Sequence, residues 1–383
     1  MGGAFIGVAD DWTAIYWNPA GLARLKHAGL GVSLEVVRVM THDSQGLANP
    51  TVPLTPADEQ RGDVFSQFGG EPSQFNGQDS NFRTPLPGVG GYASAGGFTF
   101  AGGSYSPLGF AFDVADGKTP GYDVSFKSQG YLINHNLSVA RQLLPGLSVG
   151  AGVNIVQAKL YRTANKQAPT YDSAVSADAS TLGTQGVFGF MADWGTRAHL
   201  GGVFRTGQDL KLRGHAFAID SRFPAEESDF SDVVRNPTTY GLGLSVLPWP
   251  TLTLAVDWQR TLWSATRTDI AFDQQGPALH DQTANPGWAS TTRYRFGAEW
   301  RPWSAWSFRA GYFRDPQAVA LGSQALTGII DPTIRYFTSG LSYHQAHWQL
   351  SLTNQYGRGT IVTADRTLRK DVVSWITEWD YFF

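Results

Sequence analysis

Thr251-Leu252-Thr253-Leu254-Ala255-Val256-Asp257-Trp258-Gln259 alternates without a slip: Leu252, Leu254, Val256 and Trp258 share one side, and Thr251, Thr253, Ala255, Asp257 and Gln259 share the other. Successive side chains of an extended chain point to opposite faces, so this stretch is a β-strand with one apolar and one polar face. The split recurs in 239–246, where Tyr240, Leu242, Leu244 and Val246 oppose Thr239, Gly241, Gly243 and Ser245. It recurs in 293–300, with Tyr294, Phe296, Ala298 and Trp300 against Arg293, Arg295, Gly297 and Glu299, and in 347–353, with Trp348, Leu350 and Leu352 on one face.

About fourteen such strands fit the chain, near 27–40, 85–95, 97–113, 126–142, 147–162, 181–193, 198–214, 237–247, 251–267, 290–300, 306–314, 333–344, 346–358 and 371–383. The joints between them are lopsided. One set is tight (Leu144-Pro145-Gly146, Asp193-Trp194-Gly195-Thr196, Pro248-Trp249-Pro250, Arg301-Pro302-Trp303-Ser304), and the other is long and polar (41–84, 164–180, 217–236, 268–290, 316–332). Tight turns at one end and long loops at the other are the layout of an antiparallel up-and-down outer-membrane barrel, whose strand number is even. A soluble β-sandwich also alternates. The polar face here is lean in Lys and Glu and rich in Gly, Ser, Thr and Asn, and Trp249, Trp258, Trp263, Trp300, Trp303, Trp306, Trp375, Trp379 and Tyr381 stand near strand ends. Both features favour a transmembrane barrel with aromatic girdles over the sandwich.

Composition narrows the function classes. The 383 residues carry 29 basic and 32 acidic side chains, net −3 with no basic block, so nothing draws nucleic acid. Charged residues are only 16%, and Gly (44), Trp (13), Tyr (14) and Phe (23) are abundant. There is no Cys, which removes disulfides, thiolate metal sites and cysteine nucleophiles. No run of apolar residues is long enough for a membrane helix, which leaves a β-barrel open.

The two ends differ. Val373-Ser374-Trp375-Ile376-Thr377-Glu378-Trp379-Asp380-Tyr381-Phe382-Phe383 puts Trp375, Trp379, Tyr381 and Phe383 in one register. A last strand ending in an aromatic residue looks like the signal read by the barrel-assembly machinery of bacterial outer membranes. Residues 1–26 (MGGAFIGVADDWTAIYWNPAGLARLK) show no period of two and precede the first strand. A barrel of this size is too wide for its own side chains to fill, so a compact segment here is a natural plug. The domain division is therefore a hatch over 1–26 and a barrel over 27–383.

Residues 2–25, with Asn18-Pro19-Ala20 just before the first strand, resemble the hatch of the FadL/TodX family of outer-membrane transporters for hydrophobic compounds. Gly2-Gly3-Ala4-Phe5 is also found in the PorV-like branch, whose members serve protein secretion. The stretch 131–160 is similar to the family's hairpin of strands four and five. The resemblance implies a bacterial outer-membrane protein that takes up long-chain fatty acids or aromatic hydrocarbons passively, with membrane lipid and lipopolysaccharide around it and no cofactor. Family hatches begin earlier, and Met1-Gly2-Gly3 lacks a basic region and an apolar core, so a secretory leader and some initial hatch residues are expected to be missing.

Asn18 before Pro19 is steered away from helical geometry, and its amide suits locking a turn, so its expected role is to fix the hatch. Asp10 and Asp11 would face a lumen holding Arg205, Arg293, Arg295 and Arg309, and pairing there would anchor the hatch; alternatively the arginines pair with Glu299 and Asp257. Ala101-Gly102-Gly103-Ser104-Tyr105-Ser106-Pro107-Leu108-Gly109-Phe110 sets a proline among glycines. Proline donates nothing to a β ladder. Pro107, flanked by Gly102, Gly103 and Gly109, therefore marks either a break in the wall or a loop past the strand's end. The resemblance gives the break a meaning, because these transporters release substrate sideways at a kinked third strand. Phe5, Ile6, Trp12, Ile15, Tyr16 and Trp17 of the hatch, with Tyr105, Leu108 and Phe110, are the candidate apolar pocket, or else they simply pack the plug.

No enzyme motif is present, and the metal expectation is none. His135 is separated by alternation from Asn136 and Ser138, which argues against a barrel hydrolase. Asp58, Glu59, Asp63, Glu226, Glu227 and Asp229 fall in expected loops as solvated charges or as ligands for bridging cations. The rival functions are a PorV-like dock for secreted proteins and a general diffusion porin.

Overall fold

The computed structural model describes residues 1–26, 28–44, 78–118, 123–284, 287–320, 331–363 and 366–383. Its strands are β1 (Gly29–Asp43), β2 (Gln78–Ala95), β3 (Phe98–Lys118), β4 (Asp123–Leu144), β5 (Leu147–Gln167), β6 (Asp172–Trp194), β7 (Ala198–Arg205), β8 (Gln208–Asp220) and β9 (Phe223–Asn236). They continue as β10 (Thr239–Trp249), β11 (Leu252–Thr261), β12 (Thr268–Phe272), β13 (Gln282–Ala284), β14 (Thr291–Trp303), β15 (Trp306–Asp315), β16 (Ile334–His344), β17 (Trp348–Val362) and β18 (Thr367–Phe382). All belong to one antiparallel sheet that closes when β18 pairs with β1 from Gly29↔Phe382 to Asp43↔Leu368. The segments β7 and β8 both pair with β6, and β9 and β10 return along them, so each couple is one interrupted wall strand. The couples β11–β12 and β13–β14 behave alike. The closed wall thus has the fourteen strands that the alternation predicts.

Side chains are inverted relative to a soluble protein. On β10, Leu242 and Leu244 are exposed while Ser245 is buried, and on β11 Leu254 and Val256 are exposed while Ala255 and Asp257 are buried. Leu30, Leu137, Leu182, Phe188, Trp300, Phe337 and Trp375 continue the exposed apolar belt. Hydrocarbon tails solvate such a belt, and the polar face turns into the bore.

Two stretches read as loops, 164–180 and 217–236, are mostly strand. The β5–β6 ladder runs out to Gln167↔Asp172, and the β8–β9 hairpin turns only at 221–222. Beyond the hydrocarbon a strand no longer needs an oily outer face, so the alternation fades while backbone pairing persists. The expected loop 41–84 shrinks in the same way, since β1 reaches Asp43 and β2 starts at Gln78; Asp58, Glu59 and Asp63 lie outside the described residues.

Candidate functional site

The tight-turn half of the bore is filled by residues 1–26. A short helix (Ala14–Trp17) leads into a 3-10 helix (Pro19–Arg24), and Ala4, Ile6, Ala14, Ile15, Asn18, Ala20 and Leu22 are essentially inaccessible. Asn18 explains why the turn holds. Its Nδ2 donates to Ile6 O (3.0 Å) and to Phe190 O of β6 (2.9 Å), and its Oδ1 accepts from Ala20 N (3.1 Å). One side chain thus ties the segment to itself and to the wall. Pro19, as first residue of the 3-10 helix, has no N–H to satisfy.

The wall makes room by omitting side chains. A Cβ on Gly150 would strike Pro19 and Ala20, one on Gly189 would strike Asn18, and one on Gly201 would strike Ile6 and Asn18. Trp12 lies in a slot formed by Gly31, Gly88 and Gly90, and Ile15 packs on Gly103. These wall glycines went unassigned as sockets in the sequence reading, although Gly241, Gly243 and Gly297 already stood out on the polar face.

The four arginines meet the segment differently from the expectation. Asp11 accepts from Thr13 N (2.7 Å) and Oγ1 (2.5 Å), and no ion pair of Asp10 or Asp11 occurs among the described residues. Arg205 donates to Tyr16 O and lies over the Tyr16 ring (4.7 Å). Arg293 pairs with Asp315, and Arg309 pairs with Glu299 (2.5 Å). Arg295 donates to Gln259 (2.7 Å) and lies 5.6 Å from the Trp17 ring. The anchoring pairs are therefore corrected: each arginine has a nearer acceptor on the wall or in the segment's backbone, Arg309 taking Glu299 as the alternative expects, while Asp257 accepts from Phe5 N (2.7 Å) and Ile6 N (2.9 Å).

Phe5 and Trp17 are 6.2 Å apart, Tyr16 and Tyr105 are 5.4 Å apart, and Tyr105 donates to Asn154 (3.3 Å). With Trp12 and Ile15 fully packed, these residues fill space more than they line it. Leu108 and Phe110 belong to β3, but their side chains lie outside the described residues.

The third strand carries Pro107 inside β3, not past its end. A bulge separates Tyr105 from Leu108 in the β3–β4 ladder. On the other side, the β2–β3 ladder runs from Ala95↔Phe98 to Gly88↔Tyr105 and stops, while β2 continues to pair with β1 as far as Gln78. Pro85 and Pro87 sit on the stretch of β2 that has left the β3 ladder, near Pro107, so three residues there have no N–H to offer. Thr84 and Leu86 lean over Gly109, where a Cβ would be 2.8 Å from Thr84 Oγ1.

The other half of the bore holds a large apolar cluster. Phe126, Val156, Val175, Leu210, Leu212, Phe230, Phe272, Leu279 and Leu368 form one buried cluster drawn from strands around the barrel. A cavity within it is lined by Leu160, Arg162, Ala177, Ala179, Phe230, Asp232, Ile270 and Phe272. The sequence hides this chamber because β9 and β12 carry the polar composition of loops; the alternation of Phe230, Asp232 and Val234 is the signal that betrays it. Among the described residues no cluster of His, Asp and Glu is placed to hold a metal ion.

The model of the family described as outer membrane protein transport protein (OMPP1/FadL/TodX) matches residues 1–353. Solved structures share the fold at low identity. A Pseudomonas aeruginosa FadL homologue is 16% identical with a TM-score of 0.74, covering 99% of this chain and 96% of that one. The Ralstonia pickettii toluene transporter TbuX is 16% identical with a TM-score of 0.72, covering 100% and 96%. The Pseudomonas putida toluene transporter TodX is 15% identical with a TM-score of 0.72, covering 97% and 93%. No curated protein sequence matches the chain.

Proposed function

Because the chain belongs to the OMPP1/FadL/TodX family of outer membrane transport proteins, we propose that it takes up long-chain fatty acids or aromatic hydrocarbons passively, holding them in the bore and releasing them sideways between β2 and β3. The observation that carries this reading is the pairing of an apolar chamber with a wall whose β2–β3 ladder ends at Tyr105. A greasy molecule gains ~0.8 kcal/mol for each CH₂ it keeps out of water, so an exit into the bilayer is favoured over one into the periplasm. In this reading residues 1–26 act as the hatch, Asn18-Pro19-Ala20 locks it, and Trp12 and Ile15 stand against the lower end of the open seam. Toluene transport by two structural relatives supports the aromatic arm. Lipopolysaccharide surrounds the outer rim, and the assembly machinery reads the strand ending at Phe383.

The test is uptake of radiolabelled toluene and oleate by vesicles with and without the protein, alongside planar-bilayer recordings. Faster uptake with almost no ion conductance is expected. A steady open conductance without preference for apolar solutes would make it a diffusion porin, and a secreted protein that co-purifies would make it a dock.

A further inference from the structure

The chain between β12 and β13 leaves the wall and comes back into the chamber. Residues 273–275 and Pro277 are exposed, whereas Ala278 and Leu279 are buried, Leu279 completely, among Phe230, Phe272 and Leu210. Two kinds of contact hold this excursion. Its stem is fastened to the wall: Phe272 N donates to Asp281 Oδ1 (2.8 Å), Gln274 N to Ser228 Oγ (2.9 Å) and Asp273 N to Asp229 O (2.9 Å). Its tip is a turn closed by Gly276 N donating to Leu279 O (2.7 Å). A carboxylate ties the tip to the wall, as Glu226 of β9 accepts from Ala278 N (3.0 Å) and Leu279 N (2.8 Å). Gly276 leaves room for that carboxylate, since a Cβ there would collide with it.

We propose that residues 273–281 form an outer lid latched by Glu226, and that Leu279 occupies ligand space until a hydrophobic molecule displaces it. The inference rests on the transport reading above. A Leu side chain and a ligand's hydrocarbon bury the same kind of surface, so in the chamber one replaces the other at little net change in hydrophobic energy. The latch is then the quantity that sets how readily the exchange occurs, because hydrogen bonds to an ionised carboxylate are stronger than neutral ones. Leu279 is the specificity-determining residue: it sets how much apolar surface a compound must bring, whatever its functional group.

Hydrogen exchange on the full chain in detergent micelles tests the latch. In Glu226→Gln the Ala278 and Leu279 amides should exchange roughly tenfold faster, with the β4–β5 ladder still protected. Gly276→Ala, which crowds the carboxylate from its seat, should act in the same direction should the first variant fold poorly. Saturating toluene or oleate should free the same two amides in the unaltered protein, and Leu279→Ala should raise uptake of both about two- to fivefold. Unchanged exchange in both latch variants overturns the proposal. Saturable uptake with those amides insensitive to either probe removes the lid and leaves transport standing. Absence of uptake in every variant overturns both, since a lid without cargo gates nothing.

Discussion

Two seams of one wall lie two strands apart and behave oppositely. The β1–β18 seam joins strands from the two ends of the chain, yet it is laddered without interruption from Gly29↔Phe382 to Asp43↔Leu368. The β2–β3 seam joins neighbours through a tight turn at Gly96-Gly97, yet it stops at Gly88↔Tyr105. Proximity in sequence therefore does not decide where a barrel is sealed. Pro85, Pro87 and Pro107 cluster where the second seam stops, and Thr84 and Leu86 cover with side chains what the backbone leaves unjoined.

The sharpest way to break the comparison is to seal the open seam. The chain has no Cys, so Thr84→Cys with Gly109→Cys introduces one clean cross-link. Toluene uptake should fall at least about tenfold under oxidation and recover on reduction, as expected when a gate limits the rate. Pro107→Ala restores a backbone donor, and with Gly109→Ala, whose methyl group presses on Thr84 and Leu86 across the seam, uptake should slow roughly threefold. Uptake that ignores both changes would remove the lateral route.

A pH effect should be smaller. Burial and the carboxylates of Glu378 and Asp10 push Asp11 up to about 8 from its ordinary 3.8. Between those values the seated segment keeps a proton that the released one gives up, so seating weakens as pH rises and is least favourable above the upper value. Ion leakage in planar bilayers should therefore grow about twofold from about pH 6 to about pH 9, and Asp11→Asn should flatten the rise. A leak that falls with rising pH would show that another group governs seating. The smallest effect belongs to the sealed seam: Leu34→Cys with Thr377→Cys bridges a pair already in register, and uptake should stay within about twofold of the unaltered rate. A large loss there would mean that release is not confined to β2–β3.

Legibility in the sequence followed the membrane. Strands such as 251–259 were readable because hydrocarbon demands an oily residue at every second place, and the same demand placed Leu254 outside and Asp257 inside. Above the bilayer that demand lapses, so Phe223–Asn236 and Thr268–Phe272 passed for loops and the chamber they line went unseen. Pro107 was legible as an irregularity, since it has no N–H to give a ladder, but its neighbours Pro85 and Pro87 emerge only once β2 lies beside β3. The arginines were legible as lumen residues, and Glu299 as a partner of one of them, but the acceptors of Arg205, Arg293 and Arg295 were not. Which of several carboxylates or carbonyls a guanidinium reaches depends on a few ångströms of side-chain reach that spacing alone does not encode.

The bare positions at Gly150, Gly189 and Gly201 bind two distant parts of the chain to a shared fate. A methyl group at any of them would strike Asn18, Pro19, Ala20 or Ile6, so a change made in the wall is felt first in the N-terminal segment. The stopper's shape is in this sense written into the vessel, and neither can be redesigned without rewriting the other.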